Sequence, residues 1–295
     1  MNRNSFLCFC AFLISALSSP AWAQSPIENP SNDDIAKQLA NPNTPLATMR
    51  LKNLYTTYDG SIPGAGSQSN YSMLFQPSFP FPLAGEGKSV IWRPALPILF
   101  DQPVFDPTTG LFNDTTGVGD IGMDIVYANT SSTGILTAFG FVTTLPTATS
   151  NLGRDQWLLG PEILIGKLTP EYVLGIFPNH QWDIAGDNSF DTSRTTIQAF
   201  ATFLPGGGWA VGTAPIMSYD WEASQWAIPL NLTVSKTVQW GGTPVKLDVT
   251  LDYFVEQSDR FGSEWVFGFN VAPVVENVLA GLFEKKEKSP GVFSK

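Results

Sequence analysis

The chain has 295 residues and a net charge of −10, yet only 14% of its residues are charged, against 43% hydrophobic and 13% aromatic. A soluble domain carries about a quarter charged residues, so much of this surface faces something other than water. The acidic balance excludes nucleic acid as a partner, since that is held through Lys and Arg, and the single histidine excludes a histidine-rich metal site.

At the N-terminus, Arg3, the apolar run 6–17 and Ala21-Trp22-Ala23 predict a secretory signal peptide over residues 1–23, cleaved before Gln24. Its apolar core is too short to span a bilayer comfortably, and no apolar run of helical-span length follows it. Cys8 and Cys10 both fall inside the signal, so the exported chain is expected to carry no thiol, disulfide or cysteine metal site. That suits an oxidising compartment.

Residues 24–46 are expected to form a periplasmic segment. Within it, Ser31-Asn32-Asp33-Asp34 ahead of Ile35, Ala36, Leu39 and Ala40 predicts a short capped helix ended by Asn41-Pro42. The helix is placed beside the barrel mouth, with plugging of the lumen as the alternative.

From residue 47 to 273 the dominant pattern has period two. Alternation and turn signals together mark about twelve strands, near 47–57, 71–83, 89–103, 118–128, 134–146, 156–167, 172–183, 195–204, 208–220, 225–238, 244–255 and 263–272. The clearest pair sets Trp226, Ile228, Leu230, Leu232 and Val234 against Val245, Leu247, Val249, Leu251 and Tyr253, joined by a turn at Gly241-Gly242. Each run is about ten residues, the length of a tilted membrane-crossing strand. The connections alternate between long polar ones (58–70, 104–117, 147–155, 184–194, 221–224, 256–262) and short ones (84–88, 129–133, 168–171, 205–207, 239–243). This is the loop rhythm of an all-β, up-and-down, outer-membrane β-barrel with both ends of the chain in the periplasm. Residues 274–295 would then be a solvated periplasmic tail.

The two faces separate a membrane barrel from a soluble sandwich. On the apolar face, charge is confined to Lys167 and Lys236, both near expected periplasmic strand ends. Charges inside strands otherwise fall on the opposite face, as a hydrocarbon solvent enforces. Aromatic residues of the apolar face gather at two heights, including Tyr55, Trp157, Trp182, Trp226 and Trp265 at one rim and Phe81, Trp92, Tyr172 and Trp209 at the other. Eight prolines, at 77, 80, 94, 97, 161, 178, 215 and 229, fall inside expected strands, where each removes a ladder donor. Bulges or extensions beyond the bilayer would have to absorb them.

Gly117-Val118-Gly119-Asp120-Ile121-Gly122, Leu145-Pro146-Thr147-Ala148-Thr149, Leu159-Gly160-Pro161-Glu162, Pro205-Gly206-Gly207-Gly208-Trp209 and Val234-Ser235-Lys236-Thr237 occur in this order along the chain. In them the sequence resembles a group of Gram-negative outer-membrane proteins described as transporters. That group is related to barrels of meta-pathway phenol degradation and is often mislabelled after neuromedin U. The resemblance implies an outer-membrane barrel with a solute-passage role, and brings no established substrate. It brings no catalytic residue and no cofactor.

Candidate lumen-lining residues are Lys52, Arg93, Asp120, Asp124, Glu162, Gln198, Lys246, Asp248 and Asp252. Acids and bases are mixed among them, which predicts weak ion selectivity. Asp120 and Asp124 share a face four residues apart. Hairpin counting sets Arg93 level with Asp124, which favours an internal ion pair over acid–base chemistry or a calcium site. Gly122, Gly140, Gly160, Gly166, Gly175, Gly212 and Gly268 on the inward face suggest room for passage. The Gly117–Asp120 stretch is thin on both faces, which suits either a bulge or a close-lying loop. His180 invites comparison with outer-membrane phospholipases, but the position two beyond is Trp182 and its own strand holds no serine, so a rim residue is expected. Gly206-Gly207-Gly208 is read as a hairpin turn, since no helix follows to bind a phosphate.

These readings converge on an outer-membrane channel or transporter for small solutes, in contact with outer-membrane lipid. The alternatives are a closed structural or surface-interaction barrel and a phospholipase-like enzyme. No sequence feature sets an oligomeric state.

Overall fold

The computed structural model describes residues 30–149 and 151–280. The expected signal peptide and most of the expected C-terminal tail lie outside these residues.

Among the described residues, one short helix, α1 (Asn32–Ala40), precedes the strands. The strand segments are β1 (Ala47–Asp59), β2 (Ser69–Pro82), β3 (Lys88–Asp106), β4 (Leu111–Val118), β5 (Ile121–Thr130), β6 (Ile135–Leu145) and β7 (Gln156–Leu168). They continue as β8 (Tyr172–Gly186), β9 (Ser193–Gly206), β10 (Trp209–Thr213), β11 (Ile216–Asp220), β12 (Gln225–Trp240), β13 (Thr243–Glu256) and β14 (Gly262–Val275). Every neighbouring pair is antiparallel, and β1 pairs with both β2 and β14, which closes the sheet. The fourteen segments make twelve staves, because β4 and β5 both pair with β3 and β10 and β11 both lie between β9 and β12.

Period-two sequence becomes a wall with two solvents. Phe139 and Phe141 on β6, Ile163 and Ile165 on β7, Leu230 and Leu232 on β12, and Phe267 and Phe269 on β14 all point outward, with Phe141 65% and Leu230 62% exposed. Their sequence neighbours Ala138 and Leu164 turn inward and are buried. Aromatic rings pair across staves at the long-loop rim, as in Tyr253–Trp265 with centroids 4.5 Å apart and Tyr219–Trp226 at 4.9 Å. The two outward lysines sit at the opposite rim: Lys167 Nζ donates to the Thr133 carbonyl, and Lys236 lies 4.6 Å from the Trp209 ring centre while donating to the Gly207 carbonyl.

The β12–β13 turn is the expected glycine pair, Gly241 at φ 56° and Gly242 at φ 83°, the positive-φ pair of a two-residue hairpin. Two expectations change. Residues 104–117 are mostly strand rather than loop, since β3 runs on to Asp106 and pairs with β4 beyond a bulge at Leu99/Gln102. Phe105 and Phe112 lie 5.3 Å apart across this extension, and Phe112 continues to Phe261 at 4.8 Å. The polar run Asn113–Gly117 reads as a turn in isolation; the ring contacts that hold it extended come from other staves. The expected single strand 208–220 is broken between β10 and β11, where Pro215 falls.

The remaining prolines follow one rule. In an antiparallel ladder each residue points both backbone groups at one neighbour only, so a proline damages one side. The β2–β3 pairing lapses where Pro77 would face Pro94, the β7–β8 pairing lapses at Pro161 and Pro178, and Pro229 sits at a register shift between β12 and β13. A closed barrel therefore absorbs them as local gaps.

Candidate functional site: the barrel lumen

The inward face changes character around the barrel, apolar at the short-turn end of β3 and β5–β10 and charged on β1 and β12–β14. Towards the short-turn end it is apolar: Ile91, Val126, Ala128, Leu136, Ala138, Leu164, Val173, Phe177, Leu204 and Ala210 form one buried cluster, with Ala40, Leu168 and Phe200 packed against it. At Gly140 and Gly175 this overturns the expectation that inward glycines leave a passage, while at Gly122 an added Cβ would meet nothing nearer than 3.8 Å. A Cβ on Gly140 would meet Ile125 O and Val126, and one on Gly175 would meet the Phe200 ring at 2.6 Å. The glycines let backbones and bulky neighbours close in.

Helix α1 lies across this end. Ser31 caps it, its hydroxyl accepting from Asp34 N at 3.2 Å while the Asp34 carboxylate accepts from Ser31 N at 3.3 Å. Ile35 and Ala36 are buried, and the helix contacts β9, β10, β12 and β13. Asp33 accepts a hydrogen bond from Gly208 N in the β9–β10 turn. The chain then crosses the mouth, where Asn43 Nδ2 donates to Gly87 O at 2.8 Å and to Thr130 Oγ1 at 3.0 Å. The helix thus lies against the short-turn ends of β9, β10, β12 and β13.

The lumen also carries charge, in two groups. On the β3–β8 side, Arg93 Nε donates to Asp124 Oδ1 at 2.8 Å, with the two residues directly opposite in register, as hairpin counting required. The Arg93 guanidinium also lies 5.0 Å from the Phe177 ring centre. Glu162 is buried nearby, and its Oε2 has no hydrogen-bond partner among the described residues. Across the barrel, Lys52, Gln198, Lys246, Asp248 and Asp252 line a cavity of about 330 Å³. There Asn231 Nδ2 donates to Asp252 Oδ1 at 2.7 Å. Lys246 Nζ lies 3.3 Å from Asp248 Oδ1, ion-pair distance without hydrogen-bond geometry.

Asp120 stands apart from Asp124. It occupies the break between β4 and β5, and its carboxylate accepts from the backbone N–H groups of Thr147 and Ala148 at 3.1 Å and Arg154 at 2.9 Å. It therefore holds the 146–155 loop over the wall. Thr149 completes the seam by accepting from Val118 N through its hydroxyl. Both readings of the thin Gly117–Asp120 stretch are realised, a bulged strand and a loop lying on it. Asp120, Gln181, Arg154 and Arg194 line a second cavity of about 520 Å³ at the long-loop mouth.

His180 lies outward at the rim, its ring 4.1 Å from Trp182. Its Nδ1 is 2.7 Å from Thr195 Oγ1 and its Nε2 is 3.3 Å from Ser193 Oγ. Searching only the histidine's own strand missed Ser193, which pairing delivers from β9. Among the described residues no carboxylate or carboxamide orients the imidazole as a nucleophile's base requires, and Thr195 also accepts from Trp221 Nε1 at 2.9 Å.

A closed antiparallel barrel, apolar outside, charged inside and girdled by aromatic rings, is the architecture of an outer-membrane protein. Among solved structures the chain is similar to the COG4313 outer membrane channel from Pseudomonas putida F1, with a TM-score of 0.60 at 12% identity, covering 86% of this chain and 100% of that one. It is also similar to the NanC porin, with a TM-score of 0.48 at 13% identity, covering 77% of this chain and 99% of that one. No protein-family model and no curated protein matches the sequence.

Proposed function

We propose that this chain is an outer-membrane channel for small solutes, exported through a cleaved signal peptide and oriented with its short-turn end in the periplasm. One observation carries the reading: charged cavities of about 520 and 330 Å³ open off the lumen, one at the long-loop mouth and one against β1 and β12–β14, beside the apolar cluster carried by β3 and β5–β10. A purely structural barrel has no need to keep buried charges lining open space, since buried charge is costly unless matched. Hydrophobic or aromatic solutes would meet apolar wall in the lumen around Phe177, Phe200 and Leu204.

The test is conductance in planar bilayers. Wild type should conduct weakly, and Ile35→Asp, which undocks α1, should conduct more. A closed structural barrel is the second reading, favoured by the buried apolar cluster. Silence from wild type, Ile35→Asp and a Phe177→Ala/Leu204→Ala double variant would establish it.

A further inference from the structure

We propose that the cavity between β1 and β12–β14 is a binding site for a small organic monoanion, a carboxylate that also carries hydroxyl or amine donors. The proposal deepens the channel reading and relies on it for the solute's route of entry.

The argument begins with charge. Three cations, Arg50, Lys52 and Lys246, and two carboxylates, Asp248 and Asp252, line the same space of about 330 Å³, which leaves one positive charge in excess. The anions are already engaged: Asp248 faces Lys246 at 3.3 Å, and Asp252 accepts from Asn231. Among the described residues, the side chains of Arg50 and Lys52 make neither an ion pair nor a hydrogen bond. Both lie inward on β1, two residues apart, so their heads share one side of the cavity. Two neighbouring cations with no carboxylate at ion-pair distance, in a cavity that holds one more cation than carboxylates, attract an anion more strongly there than the same pair would in water.

Acceptors supply the second half. Asn270, opposite Lys52 in the β1–β14 register and opposite Asp248 in the β13–β14 register, is buried, and its Oδ1 has no hydrogen-bond partner among the described residues. Asp248 Oδ1 likewise accepts no hydrogen bond and is buried. A buried polar atom without a partner is costly; Asn270 Oδ1 has none, and Asp248 Oδ1 has the Lys246 charge beside it but no aligned donor. A simple inorganic anion would satisfy the cations and leave these acceptors bare. A hydroxy acid satisfies both at once, its carboxylate on Arg50 and Lys52 and its hydroxyls on Asn270 and Asp248.

Isothermal titration calorimetry of the purified full-length protein in detergent tests this with sodium gluconate, against glucose as a neutral probe with comparable hydroxyls. Gluconate should bind at one site, at least tenfold more tightly than glucose. Lys52→Gln should weaken it at least tenfold, and Arg50→Gln provides the same reading should the first variant fold poorly. Equal affinity for gluconate and glucose, or gluconate binding unchanged in both variants, would overturn the proposal. Conductance separates the two claims. Gluconate binding by a protein that never conducts keeps the site and removes the channel. Conductance that gluconate does not reduce and Lys52→Gln does not alter keeps the channel and removes the site.

Discussion

At the scale of single residues, environment decides what the same side chain does. Leu230 faces lipid, and Leu230→Arg should cost about 2–4 kcal/mol, since it puts a charge near the hydrocarbon midplane. Reversible denaturant unfolding in lipid vesicles measures it, and a loss below half a kcal/mol would deny that this face meets hydrocarbon. The Arg93–Asp124 pair, with side chains 23% and 13% exposed, predicts an asymmetry. Removing one partner should destabilise by about 3 kcal/mol, while the apolar double Arg93→Met/Asp124→Leu should lose less, because no charge is left alone. Asp124→Asn should also shift ion preference towards anions, read from the reversal potential across a KCl gradient. Asp120 belongs in a different experiment. Its three backbone N–H partners predict that Asp120→Asn loosens residues 146–155, visible as faster amide exchange there and little change at Arg93.

At the scale of elements, α1 and the Gly117–Asp120 seam are the parts most open to perturbation. In α1 the Ser31 hydroxyl, and then the Ser31 backbone, hold the exposed Asp34 carboxyl below its ordinary value of 3.8. A depressed carboxyl contributes stability above its unfolded pKa, and that contribution disappears as pH falls through the folded value. The docking of α1 should therefore be fully present at pH 5 to 7 and weaken only in strong acid, below about pH 3.8. If α1 blocks the path, conductance should rise in that same acid range, and Asp34→Asn should show the raised level already at neutral pH. A rise centred near pH 6 would point to another group.

At the scale of the whole molecule, closure by β1–β14 pairing leaves no free edge and fixes which connections share an end. Protease added to intact cells should cut within the 187–192 connection and spare Gly241-Gly242. The reverse pattern would invert the barrel, and cutting at both would deny that it spans the membrane. Because β4 and β5 form one stave with a loop folded on it, cleavage within 146–155 should be slower than at 187–192 despite their common end.

The sequence by itself determined the fold class, the number of staves, the glycine turn at 241–242 and the Arg93–Asp124 pairing. Each of these follows from short-range rules: side chains alternate along a strand, and opposite residues in a hairpin are found by counting from its turn. What lies between staves far apart in the chain was not legible in that way. Asp120 looked like a partner of Asp124 because alternation assumes an unbroken strand, whereas loop 146–155 broke it. Ser193 reached His180 only through the β8–β9 register. The apolar cluster of the lumen, the docking of α1 on the β9–β10 turn and the meeting of Arg50 and Lys52 with Asp248 and Asn270 all required the sheet to close. Closure converts positions separated by up to the full length of the barrel into neighbours across a few ångströms, and no local periodicity encodes which residues those will be.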